Sequence, residues 1–269
     1  MKTMRPIAFL ILGAAGAAFA EQPQGETITV PLTDPGRPAV VSVQVNNGSI
    51  TVRAGNRRDV VVVGREHDER RREDPPPGGM RRLAQAVGFS VQEERNEVQV
   101  ESESLNRAVD FEIQVPTRTN LKLSTVNGGQ IVVEGVEGEI EVGNVNGPIT
   151  LTRIAGSAVA NTVNGQVLVS LTRVVPDKAM AFTSYNGTVD VTFPASLKAN
   201  LKMRSDRGDV FSDFDVQIRP TTPVVHETQR ASGRFQVEVN SSIQGTVNGG
   251  GPEIELRTWN GAVYLRKGQ

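Results

Sequence analysis

Residues 140–171 read IEVGNVNGPITLTRIAGSAVANTVNGQVLVSL, and this stretch decides the fold. Asn146-Gly147 is followed by Ile149 and Leu151, and Asn164-Gly165 by Val167, Val169 and Leu171. Alternation with a period of two marks a strand with one buried face. Outward from here the pairs continue as Asn127-Gly128 on one side and Asn186-Gly187, Asn248-Gly249 and Asn260-Gly261 on the other. Arg207-Gly208 stands in the corresponding place between Gly187 and Asn248, and the full period is about 18–22 residues over most of the run. The residue two before each Asn is small and polar: Thr125, Asn144, Thr162, Ser184, Thr246 and Thr258. Matching chemistry at matching positions predicts that successive turns stack.

The class is all-β, with two architectures open. Asn-Gly between alternating strands signals a hairpin, because both residues tolerate positive φ, and repeated hairpins give an antiparallel β-sandwich or meander. The same residues fit the sharp corners of a β-solenoid, a single-stranded β-helix-like stack of coils. Aromatics are 4% of the chain and Trp259 is the only tryptophan. A narrow coil interior filled by Val, Ile and Leu suits that composition better than the wide gap between sandwich sheets. The solenoid is the leading expectation.

The chain divides into four parts. Met1-Lys2-Thr3-Met4-Arg5, an apolar run from Pro6 to Ala20, and Ala18-Phe19-Ala20 before Glu21 read as a signal peptide over 1–20 cut between Ala20 and Glu21. Residues 21–64 hold strands or first coils, with Ile28, Val30 and Leu32 on one face and Val41, Val43 and Val45 on another. Residues 65–88 mix charges with Pro75-Pro76-Pro77 and read as a disordered surface insertion, whose Arg70, Arg71 and Arg72 are offset by neighbouring acids. Residues 89–269 carry the β-repeat. No later segment has membrane-spanning length, so an exported protein, periplasmic or at the cell surface, is expected.

Three stretches resemble a known family. Val45-Asn46-Asn47-Gly48-Ser49-Ile50-Thr51-Val52 is similar to its first coil, and Leu121-Lys122-Leu123-Ser124-Thr125-Val126-Asn127-Gly128 to the start of its repeats. The run from Asn248-Gly249-Gly250-Gly251 through Arg257-Thr258-Trp259-Asn260-Gly261 resembles its last coils. The family is the bacterial β-strand-repeat domain of unknown function known as "putative adhesin". The resemblance covers most of residues 40–269, apart from the insertion. It implies an exported solenoid with no established enzymatic activity and no catalytic residues to carry over.

Composition narrows the chemistry. With no cysteine, disulfides and thiolate sites are excluded. A net charge of −1, from 29 basic and 30 acidic residues, argues against nucleic acid as a partner. His67 and His226 sit near no strained Ser turn. Asp206, Asp209, Asp213 and Asp215 form the densest carboxylate group. They are weak candidates for calcium, since the Gly-Gly-x-Gly-x-Asp repeat is missing. Asp213 and Asp215, on one face of a strand, are the basis of an alternative reading as a polysaccharide lyase or hydrolase. Arg207-Gly208-Asp209 spells a receptor-binding tripeptide, and Asn47-Gly48-Ser49 and Asn186-Gly187-Thr188 match glycosylation sequons, but all are repeat corners first. Tyr185, Trp259 and Tyr264 could stack on sugars; capping of the terminal coil is preferred for the last two. No cofactor is expected. The function expected is non-enzymatic: an adhesin or envelope-associated scaffold binding an unknown surface or envelope polymer or protein. A purely structural envelope role, and self-association at exposed coil ends, stay open.

Overall fold

The computed structural model describes residues 25–66, 88–102, 108–219, 224–229, 235–240 and 242–268. The leader over 1–20 with its Ala20–Glu21 junction, His67, and Arg70 to Arg72 lie outside the described residues. The insertion overlaps them only at its ends, where Arg65 and Glu66 continue a strand.

The described residues form strands and no helix. The N-terminal part holds β1 (Glu26–Pro31), β2 (Ala39–Asn47), β3 (Ile50–Gly55), β4 (Asp59–Glu66), β5 (Phe89–Glu94), β6 (Glu97–Ser102) and β7 (Val109–Pro116). The repeats supply β8 (Thr119–Asn127), β9 (Ile131–Glu134), β10 (Glu137–Asn146), β11 (Ile149–Asn164), β12 (Val167–Val174), β13 (Met180–Asn186) and β14 (Val189–Phe193). Then follow β15 (Ala199–Ser205), β16 (Val210–Ser212), β17 (Gln217–Arg219), β18 (Val224–Gln229), β19 (Phe235–Asn240), β20 (Ile243–Val247), β21 (Glu253–Asn260) and β22 (Val263–Lys267).

Each Asn-Gly pair from Asn127 to Asn186, and Asn260-Gly261, turns the chain from one parallel ladder into another. The first ladder runs β6, β2, β8, β10, the second half of β11, β13, β21, β15. The second runs β7, β3, β9, the first half of β11, β12, β14, β22, β16. Strands on either side of a corner therefore do not pair as a hairpin; each pairs with its counterpart one period away, as coils of a stack do. Among the described residues, antiparallel pairing is confined to the ends and to the separate hairpin β18–β19. There β5 lies on β6, β4 on β7 and β1 on β4, and at the other end β20 lies on β15 and β17 on β20. These added strands cover coil edges that would otherwise offer unpaired amides.

The two ladders face each other across one core, much as the sheets of a sandwich do. Leu121, Leu123, Ile140, Val142, Phe182, Ile254 and Leu256 point inward from the first ladder, and Ile131, Ile149, Leu151, Val167, Val189 and Val263 from the second, all at most 3% exposed. Phe182 meets Phe193 of the opposite ladder edge-on at 6.2 Å. Its in-register neighbour is Ala160, so a large ring fills the volume a small side chain leaves.

Corner chemistry explains the small polar positions. Thr125 Oγ1 donates to the Gly48 carbonyl, Thr162 Oγ1 to Gly147, Ser184 Oγ to Gly165 and Thr258 Oγ1 to Gly187, at 3.0, 2.9, 2.7 and 2.7 Å. Each hydroxyl is buried and satisfies the carbonyl of the preceding coil's corner. Asn144 Nδ2 reaches Gly129 in the same way, at 2.8 Å. The longer side chain matches a longer corner, because Asn127-Gly128-Gly129 carries one residue more. Gly129, and not the expected Gly128, is thus the stacked glycine: a Cβ on it would lie 1.7 Å from the Gly48 carbonyl oxygen, whereas Gly128 faces open space.

Two further expectations are corrected at the C-terminal end. Asn248 and Gly249 are no corner of the stack; they belong to the turn from β20, outside β15, to β21, inside it. Asn248 Nδ2 instead donates to the Leu197 carbonyl at 2.7 Å. Thr246 accordingly lies in a cap strand, and Ser205 takes the place expected for it, donating to the Gly261 carbonyl at 2.7 Å. Stacking in chain order holds from β8 to β14. Outside that range, β2–β3 lies between β6–β7 and β8–β9, and β21–β22 lies between β13–β14 and β15–β16.

A carboxylate fastens the N-terminal end. Glu93 Oε1 accepts the Asn96 and Thr33 amides at 2.9 and 3.1 Å and the Thr33 hydroxyl at 2.8 Å. These bonds, the Asn96 amide first and Thr33 next, hold its pKa below the ordinary glutamate value. Stability from the clasp is therefore present above the unfolded-state pKa and lost as pH falls through the lowered folded value. An NMR titration should show the Glu93 carboxyl midpoint below that of an unstructured glutamate, with Glu93→Gln abolishing the coupled shift of the Asn96 amide; an unshifted midpoint contradicts the clasp. Gly165→Ala would put a Cβ 2.2 Å from the Gly147 carbonyl oxygen, whereas Gly143→Ala meets nothing within 4 Å. Thermal melts should place the first about 6–12 °C below the parent and the second within about 2 °C.

Candidate functional site: the corner edge

Stacking brings distant residues into rows on the outside. Along the corner, Asn164 Nδ2 donates to Asn146 Oδ1, Asn186 Nδ2 to Asn164 Oδ1, and Asn260 Nδ2 to Asn186 Oδ1, at 2.8, 2.8 and 2.6 Å. The partners are 18, 22 and 74 residues apart in sequence. Asn127 pairs with Asn47 in the same row. Asn164 and Asn186 each spend one N–H and one oxygen lone pair on their neighbours, while Asn146 accepts at one end and Asn260 donates at the other.

An apolar row flanks this ladder on one side, and on the other a mixed row runs Thr150, Leu168, Asp190, Tyr264 and Phe211. Immediately before the asparagines stand Val126, Val145, Val163 and Tyr185, exposed at 41%, 37%, 42% and 50%, then half-buried Trp259. Tyr185 and Trp259 stack face to face, centroids 5.8 Å apart and planes 7° apart. On the other side Leu168 is exposed, and Tyr264 stacks on Phe211 at 5.1 Å. The Arg266 guanidinium lies 5.0 Å from the Tyr264 ring centroid and bonds both Asp190 carboxylate oxygens, at 2.8 and 3.0 Å. That carboxylate raises the Arg266 pKa above its ordinary value. Within each pair the rings cover one another's faces, so edges point outward.

Trp259 and Tyr264 do not cap the stack as the sequence suggested. Their coil is next to last in space, and β17, β20 and buried Phe214 close the end instead. Phe211 was missed in sequence, though a signal exists: it lies three residues after Gly208, as Tyr264 lies three after Gly261.

The four aspartates do not form a cluster. Asp206 is ion-paired with Arg204. Asp209 is exposed at the last corner, with Arg207 and Gly208. Asp213 and Asp215 lie in no strand: they are exposed in the bend after β16, on either side of buried Phe214. No group of three or more His, Cys, Asp or Glu suited to a metal occurs among the described residues. Asn47 to Ser49 and Asn186 to Thr188 are corners, with Gly48 and Gly187 packed against carbonyls. The outer face of the first ladder has a depression of about 540 Å³ lined by Val40, Lys122, Glu141, Ser157 and the Lys178–Glu139 pair. No helix among the described residues is long and apolar enough to cross a membrane.

No family model matches the chain, and no curated protein matches it significantly. Among solved structures, it is similar to a "putative cell adhesion protein" from Clostridium sporogenes, at 11% identity over 91% of this chain and 100% of that one, with a TM-score of 0.44. It is also similar to a "putative adhesin" from Bacteroides fragilis, at 11% identity over 91% and 98%, with a TM-score of 0.36.

Proposed function

We propose that the chain is an exported, non-enzymatic, adhesin-like protein that docks its corner edge along an extended polymer of the cell envelope or a neighbouring surface. The observation that carries this reading is the in-register row Val126, Val145, Val163, Tyr185 and Trp259 beside the asparagine ladder. Contiguous exposed apolar surface rimmed by polar groups is the usual mark of an interaction site. Here it repeats at about 4.8 Å per coil, so a polymer that alternates apolar and hydroxyl-bearing surface meets the same pair of groups at each step. Glycan chains have that alternation. Asp213 and Asp215 sit in an exposed bend and not on a regular strand, which supports binding over catalysis.

Sedimentation with insoluble cell-wall polysaccharide tests the reading. Val163→Ser with Tyr185→Ala should weaken retention at least about tenfold, or ~1.4 kcal/mol, while leaving the fold intact by circular dichroism. Equal retention of parent and variant overturns the docking edge, and no retention of either favours a structural envelope role. Reducing-sugar release that disappears in Asp213→Asn plus Asp215→Asn would revive the enzyme reading. Protease treatment of intact and lysed cells separates surface from periplasm.

A further inference from the structure

We infer that the last coil, β21–β22, is an exchangeable element that a second copy of this chain can supply. The chain passes from β14 to β15 through residues 194–198 and leaves a gap one coil wide. Residues 253–267 then return to fill it. β21 pairs with β13 from Met180↔Ile254 to Asn186↔Asn260 and with β15 from Asn200↔Glu253 to Ser205↔Thr258. β22 pairs with β14 on one side and β16 on the other. Both edges of the gap depend on this coil: Gly187 receives the Thr258 hydroxyl, and Ser205 donates to Gly261.

The connection into the coil has the features of an exchange hinge. Asn248, Gly249 and Gly250 follow one another at φ of 50°, 84° and 87°, and Gly251 and Pro252 complete the crossing over β15. Glycine carries no steric penalty at positive φ and asparagine little, so few local forces hold this turn in its present form. Glycines let that segment straighten without steric cost. Every contact of β21–β22 with the gap is then available from another molecule, because an exchanged element makes the same bonds in trans.

Because the chain has no cysteine, disulfides can report the exchange without background. Thr183 and Arg257 are in-register partners on neighbouring parallel strands, a spacing of about 4.8 Å that a disulfide spans. The double variant Thr183→Cys, Arg257→Cys should close within one chain when folded dilute. Two differently tagged full-length chains, one with Thr183→Cys and the other with Arg257→Cys, are then unfolded, mixed, refolded and oxidised. Exchange predicts a mixed-tag disulfide dimer whose fraction rises about tenfold for each tenfold increase in concentration while monomer dominates. Mixed chains that give no such dimer at any concentration, while the double variant closes internally, overturn the inference. An internal link absent from the double variant overturns the placement of the coil on which it rests.

Discussion

A single bond repeated along the stack organises this molecule: a buried hydroxyl on one coil reaching the corner glycine carbonyl of the coil before it. A chain that turns sharply at each corner leaves a carbonyl pointing along the stack axis, close to the interior, where an unsatisfied polar group costs about 1–3 kcal/mol. The hydroxyl answers that carbonyl only if the next coil arrives in register. The glycine lets it arrive, since a Cβ would occupy the approach path at 2.0–2.3 Å at Gly147, Gly165, Gly187, Gly208 and Gly261. Glycine and hydroxyl are two halves of one requirement, and both recur once in each period of the sequence.

That requirement is indifferent to chain order. Any coil carrying the glycine and the hydroxyl can stack on any other, so the ends of the stack are free to depart from sequence order while its middle obeys it. Thr258 bonds to Gly187 across 71 residues as well as Thr162 bonds to Gly147 across 15. Placing a late coil between two earlier ones makes the C-terminal end cooperative: β15–β16 keeps its neighbour only while β21–β22 is seated. The first coil, β2–β3, has the same position at the other end, between β6–β7 and β8–β9.

The features legible in the sequence were those that local chemistry determines. The strand period, the corners at Asn146, Asn164, Asn186 and Asn260, and the small polar positions all follow from residues a few places apart. Features that failed depended on which coil lies next to which. Asn248-Gly249 carries the same letters as a corner, but the strand before it runs antiparallel on the far side of β15, and nothing within the pair records that. Trp259 and Tyr264 are near the C-terminus in sequence and one coil inside it in space. Asp213 and Asp215 alternate like strand residues, yet Ser212 bonds the Phe214 amide and turns the chain, at 3.0 Å. Gly128 and Gly129 could be told apart only by the stacked neighbour.

The outer edge inherits its character from the inner one. Because hydroxyls fix the register, residues two places later must line up as well, and the asparagines become a ladder whether or not their own bonds contribute much. Exposed amide bonds of this kind add little beyond what the buried corner already holds, since solvent competes for them. Selection for stability alone therefore gives no reason for the valines and aromatic rings beside Asn127, Asn146, Asn164, Asn186 and Asn260, where exposure costs solubility. Tyr185 and Trp259 cover part of one another's apolar surface by stacking, and Tyr264 and Phe211 do the same across the ladder. Their outward edges and the valine row stay open to solvent. A fold that could have placed serine or lysine there at no cost to its core instead presents a continuous apolar margin along its most regular edge, and that choice is the physical argument for a docking surface.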